Sequence, residues 1–147
     1  MGDKLKILFL CTGNSCRSQM AQGFARELKG ETIEAHSAGT EPGEMNPLAI
    51  AVMQEAGVDI SGQYCKHVSA LNDHNFDYVV TVCTSANEKC PLFPRQSKIV
   101  HFPFDDPPQL AKDAADDEQA LQHYRHVRDQ IKSFIERLPQ ALDEDLK

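Results

Sequence analysis

The chain has 147 residues, 41% of them hydrophobic and 25% charged, and a net charge of −7 at pH 7. Those values exclude a disordered tail, a collagen and a membrane protein. The acidic balance argues against nucleic acid or an anionic membrane surface as partner. Any anionic substrate must therefore be captured by a local site.

The length fits one domain over residues 1–147, able to bury roughly two-thirds of its unfolded surface. The expected state is a monomer. The apolar run Ile7–Cys11 is too short for a membrane span or a signal-peptide core, so the expected compartment is the cytoplasm.

Lys4–Leu10 reads as a buried strand, followed by a turn at Thr12-Gly13-Asn14. Met20, Ala21, Phe24, Ala25 and Leu28 then fall on one helical face, and Gly30 stops the helix. Thr32–Ser37 reads as a second strand. Asn46-Pro47 supplies a cap and a first helical residue for a helix carrying Ala49, Val52, Met53 and Ala56, ended by Gly57. Asp77–Val82 is β-branched and predicts a central strand. Ser85 and Glu88 have capping-box spacing, and Pro91 limits the helix they open to about one turn. Lys98–Phe102 predicts a fourth strand and Pro103–Pro108 a loop. A long helix with Leu121, Tyr124, Ile131, Phe134, Ile135 and Leu138 inward comes last, and the acidic tail after Pro139 is expected to fray. Strands alternating with helices predict an α/β fold with a parallel sheet between helices. Ligands of such sheets bind at the carboxyl ends of the strands, where Cys11 and Cys83 fall.

The five cysteines are Cys11, Cys16, Cys65, Cys83 and Cys90, with no Cys-x-x-Cys pair and no histidine at metal-ligand spacing, so no metal and no cofactor is expected. The stretch Cys11-Thr12-Gly13-Asn14-Ser15-Cys16-Arg17-Ser18 has the form Cys-x5-Arg-Ser between a strand and an amphipathic helix. A loop wrapping from strand to helix aims backbone N–H groups inward at the positive end of a helix dipole. Gly13 and Asn14 tolerate the left-handed geometry such a nest requires, and Arg17 adds a fork matching a tetrahedral oxyanion. The same field favours the Cys11 thiolate as nucleophile. A carboxyl in the loop Asp105-Asp106-Pro107 is placed to protonate a leaving oxygen.

The stretch 11–21 resembles the catalytic loop of low-molecular-weight tyrosine phosphatases and, more closely, of the thioredoxin-coupled arsenate reductases built on the same fold. The resemblance continues through Ser-Ala-Gly at 37–39, Asn-Pro at 46–47, Val-Val-Thr-Val-Cys at 79–83, Cys90-Pro91 and Phe-Asp-Asp-Pro at 104–107. It implies a three-layer α/β fold with a four-stranded parallel sheet. It implies an oxyanion site made by Thr12, Gly13, Asn14, Ser15, Cys16, Arg17 and Ser18, with Ser18 donating to the Cys11 thiolate and Asp106 as general acid. Asp105 is then a helper or a bystander, Cys16 a structural thiol within the loop, and Cys65 a bystander.

In reductases of this type, a cysteine at the position of Cys83 attacks the arseno adduct and one at the position of Cys90 takes over the disulfide, which thioredoxin reduces. Seven residues of intact helix rise about 10 Å, whereas a disulfide needs Cα atoms roughly 4.4–6.8 Å apart, so that segment must loop out or unwind. Neither the residues after Asp106-Pro107 nor the loop 40–46 supplies an aromatic wall for a phosphotyrosine ring, which favours a small inorganic oxyanion such as arsenate. The alternatives are a phosphatase acting on phosphate monoesters and a non-catalytic oxyanion-binding or redox-sensing module. A glutathione–glutaredoxin route is the alternative electron source. Some reductases of the family also bind potassium beside the loop. Here Asn14 matches that site, but Gln22, Tyr64 and Lys66 stand where it supplies acidic and hydroxyl ligands, so no specific potassium site is expected.

Overall fold

The computed structural model describes residues 4–71, 75–82 and 98–142. Its centre is strand β1 (Leu5–Cys11), in which Ile7 through Leu10 have no exposed surface. A strand can be apolar on both faces only if both are covered, as in the parallel sheets of α/β proteins. β1 lies between β2 (Ile33–Gly39) and β3 (Tyr78–Thr81), and β4 (Lys98–His101) completes the order β2-β1-β3-β4. All three pairings are parallel.

β2 runs two residues past its expected end. Ala38 and Gly39 pair with Leu10 and Cys11 and so extend the strand beyond Ser37. β4 is an edge strand, and its Ile99 is exposed.

Helix α1 (Arg17–Lys29) follows β1 and packs on β2. Helix α2 (Pro47–Glu55) starts as expected. Asn46 Oδ1 accepts from the Leu48 and Ala49 amides, and Pro47 occupies the first turn. Gly57, at φ +84°, follows its end. The 3-10 turn Val68–Leu71 was not predicted. The segment leading to it buries Val58, Ile60, Val68 and Leu71 without a regular period.

The predicted loop Pro103–Pro108 is shorter than expected. Asp106 is the N-cap of a one-turn helix, α3 (Pro107–Leu110), because proline's fixed φ suits the first helical position. Helix α4 (Asp117–Glu136) turns Tyr124, Val127, Ile131, Phe134 and Ile135 into the core against α1 and α2. The tail does not fray at Pro139. Ala141 and Leu142 are buried, an apolar pair that returns to the core before the acidic residues begin. The Ser85–Glu88 capping box, Cys83 and Cys90 lie outside the described residues. Among the described residues no helix is long and apolar enough to cross a membrane.

One contact makes α1 depend on a missing side chain. A Cβ on Gly23 would lie 2.6 Å from Ile60 Cγ2 and 3.2 Å from Met53 Cε and Val58 Cγ1. The β-branched Ile60 and Val58 cannot swing away without leaving their rotamers. Gly23→Val is therefore expected to lower stability by about 1–3 kcal/mol, despite valine's better helix propensity, as read by urea denaturation. An unchanged or higher midpoint would show that the α1–α2 seam is not packed as described.

Candidate active site

The loop between β1 and α1 is held from outside, carbonyl by carbonyl. Cys11 O accepts from Thr40 N at 3.3 Å, Thr12 O from Glu41 N at 2.8 Å, Gly13 O from Gly43 N at 3.0 Å and Ser15 O from Asn46 N at 3.0 Å. Asn14 O accepts from Gln19 Nε2 at 2.8 Å. A trans peptide points its C=O and N–H in opposite directions. Fixing these five carbonyls on the outer side turns the N–H groups of Thr12, Gly13, Asn14, Ser15 and Cys16 toward the inside of the loop. The next helix adds to this. Its N-cap, Cys16, makes no side-chain cap bond and its first turn holds no acidic residue. Amides that a cap commonly satisfies are thus left for an anion, at the positive end of the helix dipole.

Two residues permit the tight turn. Asn14, with no exposed surface, adopts φ +51°, the left-handed region that asparagine tolerates better than most residues. Its carboxamide is consumed by the fold. Nδ2 donates to Ser18 Oγ at 2.8 Å, and Oδ1 accepts from Lys66 N at 3.0 Å. Because Ser18 Oγ accepts there, its own proton remains available for another acceptor. Gly39, paired with Cys11, permits the close approach of β2. A Cβ there would lie 2.5 Å from Thr12 O and 3.0 Å from Asn14, so any side chain would displace the loop.

Cys11 is buried at the start of the loop, 4% exposed. Arg17 sits at its far end with a side chain 13% exposed. Its guanidinium is tied to the loop carrying the acid. Nη1 donates to Phe104 O at 3.0 Å, and Nη2 lies 3.6 Å from Asp106 Oδ1. Its Nε is buried and without a partner. A buried N–H with no acceptor costs free energy, so an acceptor supplied by a ligand is the simplest account of it. Asp106 is half-exposed and makes no side-chain cap bond to α3, which leaves the carboxyl available; Asp105 is exposed.

The remaining cysteines separate. Burial pushes the Cys16 thiol up to about 12, so it stays protonated and inert; only its amide belongs to the cradle. Burial also raises the Cys65 thiol, against the neighbouring Lys66 ammonium. Cys83 and Cys90 lie outside the described residues.

The residues proposed by resemblance for potassium do not fit that ion here. The ammonium of Lys66 donates to Ser37 O at 2.9 Å and to Tyr64 O at 3.1 Å, so a side-chain cation already sits on those carbonyls. Gln22 contributes an amide oxygen that accepts from Ser37 Oγ. Among the described residues no group of three or more His, Cys, Asp or Glu could hold a metal ion.

The strap Thr40–Asn46 was missed as part of the site. Asn46-Pro47 signals only a helix start, and backbone donors carry no signature in sequence. The Lys66 amide was missed for the same reason, and Gln19 because a single glutamine side chain in a helix marks no site.

Residues 6–147 match the family model for low molecular weight phosphotyrosine protein phosphatase. The arsenate reductase of Bacillus licheniformis is 43% identical over 138 residues, covering 94% of this chain and 97% of that protein. A solved arsenate reductase in its phosphate-binding state superposes with a TM-score of 0.71 at 34% identity, covering 91% of this chain and 95% of that one. A low molecular weight protein tyrosine phosphatase from T. tengcongensis shares the fold, with a TM-score of 0.74 at 24% identity, 94% of this chain and 99% of that one. The outward-pinned loop with its Cys and Arg ends, together with these matches, makes the chain a member of the low molecular weight phosphotyrosine protein phosphatase family.

Proposed function

We propose that the protein is a single-domain cytoplasmic enzyme that reduces arsenate to arsenite through Cys11, Cys83 and Cys90, with thioredoxin as electron donor. The observation that carries the oxyanion site is the outer pinning of the five carbonyls from Cys11 to Ser15, with the unpartnered Arg17 Nε at the same loop. That arrangement offers several donors to one tetrahedral anion and none to a cation. The arsenate reductases at 43% identity supply the substrate, and resemblance supplies the relay and the donor.

In this reading arsenate lies in the cradle with Arg17 Nε and one of its terminal nitrogens on two oxygens. The Cys11 thiolate, favoured by the same amides and guanidinium, attacks arsenic. Asp106 protonates the departing oxygen and water leaves. The Cys83 thiolate then attacks Cys11 Sγ. A Cys11–Cys83 disulfide forms, the electron pair of the sulfur–arsenic bond passes to arsenic, and arsenite leaves reduced by two electrons. Cys90 attacks Cys83 Sγ and releases the Cys11 thiolate, and a dithiol partner reduces the Cys83–Cys90 bond.

Cys11→Ser is expected to lower arsenate reduction and any p-nitrophenyl phosphate hydrolysis by more than about a thousandfold, since a serine hydroxyl is not ionised in this loop. NADPH consumption coupled through thioredoxin and its reductase measures the first activity. Phosphatase turnover without arsenate-dependent NADPH consumption in the unaltered protein would instead establish the phosphatase reading.

Cys90→Ser should complete one turnover and stop with a Cys11–Cys83 disulfide, which mass spectrometry of the trapped protein identifies. Cys16 or Cys65 in the main disulfide would refute the relay. Because the Lys66 ammonium already occupies the Ser37 and Tyr64 carbonyls, sodium and potassium at equal ionic strength should give the same thermal midpoint and the same rate. A potassium-specific rise in either would show that a cation displaces that side chain.

A further inference from the structure

The strap that pins the loop is itself anchored at one residue. Asn46 spends its main-chain N–H on Ser15 O and its carboxamide oxygen on the first turn of α2. The carboxamide nitrogen donates to Tyr124 Oη at 2.9 Å. Tyr124 is 3% exposed and belongs to α4, the longest helix of the core. Burial holds its phenol above the ordinary value, against the opposing effect of the hydrogen bond from Asn46, so the hydroxyl stays protonated. The phenol oxygen thus completes the hydrogen bonding of an Asn whose backbone fixes the Ser15–Cys16 peptide plane. That plane decides where the Cys16 amide points.

We propose that Tyr124 is a positioning residue for the oxyanion cradle, acting through Asn46 to hold the Cys16 amide on the anion. The inference rests on the oxyanion reading above and adds a residue on α4 that no motif marks. Without the phenol oxygen, the partly buried Asn46 Nδ2 loses its protein acceptor and the carboxamide turns to find another. Its oxygen then leaves the α2 amides or its backbone leaves Ser15. Either change loosens the loop at the point where strand gives way to helix.

The test uses the full chain with inorganic phosphate as the probe, titrated calorimetrically at 25 °C. Tyr124→Phe keeps the ring and its packing but removes the acceptor. The phosphate dissociation constant is expected to rise roughly three- to tenfold, the worth of one neutral hydrogen bond. Val127→Ala, a core truncation on the same helix, controls for stability and is expected to lower the thermal midpoint while leaving phosphate affinity unchanged. Asn46→Ser retains a capping side chain but cannot reach Tyr124. Adding Tyr124→Phe to it should then cost no further affinity.

Tyr124→Phe within twofold of the unaltered protein, Val127→Ala weakening phosphate as much as Tyr124→Phe, or full additivity in the Asn46→Ser background would each overturn the inference. An unaltered protein that binds no phosphate would overturn the oxyanion reading beneath it.

Discussion

The site depends on one constraint, the opposed directions of C=O and N–H in a planar peptide. A loop cannot aim its amides at an anion unless its carbonyls have somewhere else to go. Here Thr40, Glu41, Gly43 and Asn46 supply backbone donors on the outside, and Gln19 supplies a side-chain donor. In the proposed reading an anion meets amides already aligned, and little ordering remains to be done on binding, which is the property that makes fixed dipoles effective. The same requirement explains why β2 continues to Gly39 beside Cys11 and why nothing larger than glycine fits there.

A second layer fixes that frame to the core. Asn14 ties the loop to α1 through Ser18 and to the segment before the 3-10 turn through Lys66 N. Lys66 then fastens its ammonium to Ser37 O, and its own carbonyl accepts from Gly39 N at 2.9 Å. Arg17 reaches the other side of the sheet through Phe104 O, while Phe104 N donates to Val82 O at 3.0 Å. The guanidinium is therefore two hydrogen bonds away from the residue that precedes Cys83. Phe104 also packs edge-on against Phe134 of α4, which stiffens the same stretch.

Much of this was legible because the informative signals are local. The apolar run of β1, the Asn-Pro start of α2 and the apolar face of α4 each act within a few residues; β1 lies one residue from its predicted place and α2 starts where predicted. The Cys-x5-Arg-Ser loop was legible because its spacing between strand and helix has a chemical meaning. Three things were not legible. The segment Val58–Leu71 buries only Val58, Ile60, Val68 and Leu71, at spacings that have no period to detect. The one-turn helix after Asp106 hides in a Pro-Pro pair that composition assigns to a loop. The strap acts through backbone amides, which every residue but proline carries, so the sequence gives no reason to pick Thr40–Asn46 over another loop.

The acidic net charge does not oppose the proposed anion site, because the two act over different distances. At physiological ionic strength the Debye length is about 8 Å, so carboxylates scattered over the surface contribute little at the loop. What an oxyanion meets there is set within hydrogen-bond range: inward amides, the start of α1 and a guanidinium only 13% exposed. One carboxyl stands beside that fork, Asp106, whose Oδ1 lies 3.6 Å from Arg17 Nη2.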